Sequence, residues 1–174
     1  MVRQFSVSMD VTMRIMTIVL IVLMSVVSCL LIYHAFSGEE LNVWSRTVLV
    51  LVGAFSVVLL PVLAFFAPRA YIVTPSHVVV HRLGPDVKVP RDRIRHVQSI
   101  SVKLRAPVRV CGAAGFLGAW GWYYNRDLGL FRAYVTRKDH SVILRLTDSK
   151  PLVLSPDDRE GFLEALAEGP SPSS

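Results

Sequence analysis

IMTIVLIVLMSVVSCLLIYHAF (Ile15–Phe36) and TVLVLVGAFSVVLLPVLAFFA (Thr47–Ala67) decide how the rest of the chain is read. Neither run contains Asp, Glu, Lys or Arg, and their lengths are 22 and 21 residues. About 20 such residues cross the hydrocarbon of a bilayer as a helix, so the sequence predicts a transmembrane hairpin over 15–67. The connector between the runs is the polar stretch SGEELNVWSR (37–46). Tyr33, His34 and Trp44 fall at its edges, where amphipathic rings favour the headgroup boundary. Gly53, Ser56 and Pro61 predict close helix packing with a mild kink in the second span. Val26-Val27-Ser28-Cys29 loosely matches a lipoprotein cleavage site, but LLIYHAF continues the apolar run past Cys29, where a lipidated chain turns polar.

Charge sets the expected orientation. From Arg69 onward the chain carries 16 Lys and Arg against 10 Asp and Glu, whereas the connector, with Glu39, Glu40 and Arg46, is acidic. Basic segments stay on the cytoplasmic side, so both termini are expected in the cytoplasm of a cell-membrane protein with two spans. Cys29 lies in the first span and Cys111 beyond the second, which keeps them apart and agrees with a reducing compartment. Residues 1–14 read as a mixed polar tail in which Phe5, Val7 and Met9 alternate with polar neighbours.

From residue 68 the apolar period changes from helical to alternating, which predicts a small antiparallel sheet or barrel over 68–168. Strands are expected at 70–74, 77–83, 86–90, 94–104, 129–136, 141–147 and 151–154. In the long strand Ile94, Gln98, Ile100, Val102 and Leu104 share one face, while Arg95, Ser99, Ser101, Lys103 and Arg105 share the other. A helix from Pro156 to Glu168 follows, with Ser155 as N-cap, Asp157 and Asp158 in the first turn, and an apolar stripe of Phe162, Leu163 and Leu166. Residues 169–174 read as a disordered tail.

Tyr71-Ile72-Val73-Thr74, the approach from Val89-Pro90 to Ile94, the glycine-aromatic segment after Arg109, Ala133-Tyr134-Val135-Thr136, and Leu154-Ser155-Pro156-Asp157 with Phe162-Leu163 carry a resemblance. Over roughly 70–167 the chain resembles the bacterial PH-domain (pleckstrin-homology-like) family of short membrane proteins. That resemblance implies an α+β architecture in which a PH-like seven-stranded antiparallel β-barrel, closed by a C-terminal helix, follows the two transmembrane helices. It brings no catalytic residues.

The segment GAAGFLGAWGWYYN (112–125) is the main candidate site, expected as a loop. Its glycines suggest a phosphate cradle, yet no Lys lies within it and no Gly-Lys-Ser/Thr follows. Its rings Phe116, Trp120, Trp122, Tyr123 and Tyr124 fit three roles: barrel core, anchors for a protein partner, or shallow lipid contact. The second candidate is a basic surface of Arg91, Arg93, Arg95, Lys103, Arg105 and Arg109, followed by Arg132, Arg137 and Lys138. Each gains about 1 kcal/mol from anionic headgroups if it lies near the leaflet. The first hairpin turn, Pro75-Ser76, has no Lys or Arg until Arg82, a departure from phosphoinositide-binding PH domains.

His77 and His81 share a strand face but stand about 13 Å apart, too far to chelate one ion, so no metal and no cofactor is expected. Helix capping explains Asp157 and Asp158, and neither Cys111 nor Ser155 has a visible base. The expectation is a membrane-anchored binding or scaffold module without catalysis. Its partners are the bilayer and a membrane or membrane-proximal protein; recognition of an anionic lipid is the alternative and an enzyme the third. Nucleic acid is not expected, because the membrane accounts for the basic charge.

Overall fold

A computed structural model describes residues 2–37, 42–100, 107–137, 141–147 and 149–168. The chain begins with a strand and not a tail: Arg3–Ser6 (β1) runs antiparallel to Pro68–Val73 (β2), with Arg3 opposite Val73 and Ser6 opposite Ala70. The alternation around Phe5 is therefore strand periodicity, and Phe5 is buried. Between these two strands stand the helices Val11–Ser37 (α1) and Val43–Phe66 (α2), of 27 and 24 residues. At 1.5 Å per residue they are about 40 and 36 Å long, enough to cross about 30 Å of hydrocarbon. Both are long and apolar enough to span a membrane. The helix pair is thus an insertion between neighbouring strands, and both its ends return to one sheet.

The helices meet through small residues. Asn42 caps α2 by accepting from the Ser45 amide at 2.8 Å, and Gly53 packs so closely that a Cβ there would stand 3.0 Å from Ile32 and 3.4 Å from the Ser28 carbonyl. Pro61 lies inside α2 as expected.

The first sheet is completed by His77–Arg82 (β3) and Val87–Pro90 (β4), in the order β1-β2-β3-β4. A 3-10 turn at Arg91–Arg93 leads into the second sheet. Its strands are Ile94–Ile100 (β5), Val108–Ala114 (β6), Ala119–Asn125 (β7), Gly129–Val135 (β8), Ser141–Leu146 (β9) and Leu152–Leu154 (β10). The order is β5-β9-β10-β8-β7-β6, and β10 runs parallel to β8. The expected seven-stranded antiparallel barrel is therefore corrected to ten strands, among the described residues, in two sheets that do not close. Three differences have physical causes. The partner of β1 lies beyond two helices, the hairpin β6–β7 is disguised by glycine, and β10 slots between β8 and β9 instead of extending the sheet at its edge. Residues 101–104 of the expected long strand and the expected tail, 169–174, lie outside the described residues.

Glycine disguises the hairpin because Gly112 and Gly121 face each other across the ladder. A Cβ on either would come within 2.2 Å and 2.3 Å of the opposite backbone, so the strands cross where side chains do not fit. The closing helix is Arg159–Ala167 (α3), and its cap is Asp158, which accepts from the Gly161 amide at 2.9 Å. Ser155, expected in that role, is buried instead, and its hydroxyl accepts from the Thr136 amide at 2.8 Å.

The core lies between the sheets and α3. Phe162 packs edge-on against Phe5 at 5.3 Å and Tyr71 at 6.3 Å, over Val78, Val80, Leu144 and Leu154. Tyr71 joins the layers: its hydroxyl donates to the Tyr134 carbonyl at 2.5 Å and accepts from the Ser155 amide at 3.3 Å. Burial pushes its pKa up to about 12. The N-terminal segment is pinned by Asp157, which accepts from Ser6 Oγ at 3.0 Å, the Ser8 amide at 3.0 Å and Ser8 Oγ at 2.5 Å. Partial burial by itself raises the Asp157 pKa, but the Ser8 and Ser6 hydrogen bonds and the Arg137 charge outweigh it and hold the carboxyl below its usual range.

Two outcomes are expected. Tyr71→Phe leaves a buried carbonyl and amide without their partner and lowers stability by about 1–2 kcal/mol, read as earlier unfolding of the full chain in micelles. Because the folded pKa of Asp157 is depressed, its contribution is fully present above about pH 4 and is lost as pH falls through the lower folded value. Hydrogen exchange at Ser6 and Ser8, corrected for intrinsic rates, checks this, and Asp157→Asn gives the same loosening at neutral pH.

Candidate functional site

The five candidate rings do not form one surface. Phe116 lies in the β6–β7 turn, 4% exposed, against the helices. Trp120 packs on Phe66 at the end of α2, ring centroids 5.8 Å apart, and among the described residues its buried Nε1 has no hydrogen-bond partner. Tyr123 points to the opposite face of β7, stacked on Phe131 at 6.0 Å, with its hydroxyl donating to the Ala113 carbonyl at 2.7 Å. Burial raises its pKa, and the nearby Arg109 charge opposes that rise. Only Trp122 (36%) and Tyr124 (49%) stand exposed. The segment expected as a loop is a hairpin whose rings alternate between faces.

The candidate basic residues are also dispersed. The Arg91 guanidinium donates to the carbonyls of Thr74 at 3.3 Å, Ala165 at 3.2 Å and Leu166, so it caps the C-terminal end of α3. Arg95 donates to Thr147 Oγ1 at 2.9 Å; Arg93 and Arg109 are exposed, on the 3-10 turn and on β6. Lys103, Arg105 and Lys138 lie outside the described residues, and Arg137 sits 3.8 Å from Asp157.

What the fold does bring together is a cleft. The sheets face each other, and beyond the core they part into a cavity of about 620 Å³. Its apolar walls are Val87, Val89, Leu146 and Leu152, with Trp122 beside them. Lys88 from β4, Arg132 from β8, Ser149 and Lys150 before β10 complete the lining. Among the described residues no carboxylate lines the cavity, and none pairs with these cations.

Strand register builds the inner wall. Trp122 lies opposite Arg132 and Trp120 opposite Tyr134, so all four side chains share one face of the second sheet. The Arg132 guanidinium sits 5.8 Å from the Trp122 ring centre and 5.3 Å from that of Tyr134. Arg82 continues the series, 5.6 Å from Tyr134 and 5.7 Å from Phe66. Rings and guanidinium groups therefore alternate from the end of α2 to the cleft, each contact worth about 0.5–2 kcal/mol according to its burial. Burial raises the Tyr134 pKa, opposed by the charges of Arg132 and Arg82. An Arg held flat between rings is pre-organised to bind a phosphate or carboxylate through two parallel N–H bonds.

The sequence marks Arg132 only as one of the later basic residues and does not mark Lys88, Arg82, Tyr134 or Lys150 as site residues. Period 2 places Arg132 with Tyr134 on one face of β8, but their meeting with Trp122 requires the β7–β8 register.

Residues 69–169 match the bacterial PH domain, and the match covers more than half of the chain. No curated protein and no solved structure matches it. The match begins at the second residue of β2 and extends just past α3, so β1 and the two long helices lie outside it. Two apolar helices followed by this β-rich unit and its closing helix are what the sequence resemblance implied, and the chain belongs to the bacterial PH domain family.

Proposed function

We propose that the protein is a membrane-anchored PH-like module that binds an anionic headgroup in the cleft between its sheets, without catalysis. The observation that carries this reading is the chemistry of the cavity: Lys88, Arg132 and Lys150 beside Trp122, with no carboxylate among the described lining residues. Arg132 grips a phosphate oxygen pair, the two lysines neutralise the remaining charge, and the apolar walls accept the glycerol and upper chain carbons. Position supports a membrane source for the ligand. Trp120 and Arg82 touch Phe66 at the end of α2. Trp122 stands two residues further along β7, about 7 Å away, which is comparable to the thickness of the headgroup layer on each side of the hydrocarbon. In this reading the domain faces the cytoplasm, as the excess of Lys and Arg after the second span favours.

The full chain in nanodiscs containing photoactivatable phosphatidylglycerol or phosphatidylcholine tests the proposal. The anionic probe is expected to label Val87–Val89 or the Trp122 strand preferentially. Lys88→Ala, Arg132→Ala and Lys150→Ala each weaken that labelling about 5-fold, the equivalent of about 1 kcal/mol per lost cation. Equal labelling by both lipids overturns the reading, and full competition by a water-soluble glycerophosphate moves the ligand source from the bilayer to the cytoplasm.

A second reading, protein interaction at the membrane, is favoured by one observation. Strand β6 is an edge of the second sheet, with Val108 and Val110 exposed beside Tyr124. A photocrosslinker replacing Tyr124 is expected to yield a protein-sized adduct if this edge docks a partner; an adduct of lipid size, or none, counts against it.

A further inference from the structure

The turn of the β6–β7 hairpin lies against the two long helices. Phe116 and Leu117 at its turn line a crevice with Ile21 and Met24 of α1 and Leu60 and Pro61 of α2. The contact is polar as well as apolar. Thr17, 5% exposed in α1, donates its hydroxyl to the Met13 carbonyl at 2.8 Å and accepts from the Leu117 amide at 3.0 Å. Within the turn the Gly115 amide donates to the Gly118 carbonyl at 3.0 Å. The turn is tight enough to hold Leu117 at φ +53°, and a Cβ on Gly118 would stand 2.8 Å from the Val135 carbonyl oxygen.

Helix length gives the depth of this contact. Leu60 precedes the end of α2 by six residues, and Thr17 follows the start of α1 by six, each about 9 Å along the axis. If helices of about 36 and 40 Å are centred on about 30 Å of hydrocarbon, their ends project about 3–5 Å, leaving the turn about 4–6 Å inside. Irregular backbone survives there only when its amides are satisfied by protein. The Leu117 and Gly115 amides are satisfied, the first by a hydroxyl of the membrane helix itself.

We infer that the β6–β7 turn is a re-entrant wedge: Leu117 enters the leaflet beside α1 and α2 with Phe116 packed beneath it against the helices, and the partner of its accessible side is the acyl-chain layer. The inference rests on reading the two helices as spans. Its consequence is mechanical. Beyond the turn, three residues of extended strand, about 10 Å, lead from Ala119 to Trp122, so the depth of the wedge sets the height of the cleft wall above the hydrocarbon.

Site-directed spin labelling of the full chain in lipid vesicles tests it. In a Cys29→Ser, Cys111→Ser background, single cysteines replace Leu117, Phe55 in the lipid-facing middle of α2, and Ser149 in the domain. The measured quantity is the ratio of collisional broadening by oxygen to that by a water-soluble nickel chelate. At position 117 the ratio is expected to approach that at 55 and to exceed that at 149 several-fold; a label at Phe116 repeats the measurement independently. Thr17→Val is expected to raise nickel access at 117 several-fold. A water-like ratio at 117 and 116 with a lipid-like ratio at 55 overturns the wedge alone. A water-like ratio at 55 overturns the spans and the wedge together.

Discussion

Four residue pairs between Arg3–Ser6 and β2 hold the architecture together. They close a ring whose remaining circumference is the two-helix hairpin, so the helices cannot leave the domain without breaking a strand pair. Closing a flexible loop of that length would cost on the order of 4 kcal/mol in chain entropy. Here the antiparallel helices already return the chain to its starting side, and most of that cost is met within the helix pair. The ladder is then reinforced where it is most exposed: Phe5 enters the core against Phe162, and Asp157 gathers the Ser6 and Ser8 donors as the chain leaves for α1.

From that seat a second series of contacts runs into the domain. Phe66, Arg82, Tyr134, Arg132 and Trp122 alternate ring and cation from the end of α2 to the cleft. None of these contacts is strong alone, yet together they leave Arg132 little rotational freedom. The same hairpin serves both neighbours of the cleft: its tip lies against Thr17, Trp120 touches the helix end, and Trp122 forms part of the cavity wall.

Much of this was legible in the chain. Uncharged runs of 22 and 21 residues announce the helices, because hydrocarbon excludes charge and sets a length. Alternation announces β2, β3, β4, β8 and β9 near their observed positions, because a strand half-covered by core needs period 2. The hairpin β6–β7 was missed, since glycine at 112 and 121 removes the side chains by which alternation is recognised. Tyr123 and Trp122 illustrate the limit: as adjacent residues they point to opposite faces, one into a ring stack and one into the cleft, and composition alone treats them alike.

What the sequence determined by itself was local: helix length, strand parity, the amphipathic stripe of Phe162, Leu163 and Leu166, and the resemblance that named the family. Each depends on residues within a few positions of one another, where backbone geometry repeats. Tertiary structure alone decided that β1 pairs across the helices with β2, that β10 inserts parallel to β8, and that Lys88, Trp122, Arg132 and Lys150 share one cavity. Those outcomes depend on which strand lies beside which. Buried area and hydrogen-bond satisfaction over the whole chain make that choice, and no short stretch of residues encodes it.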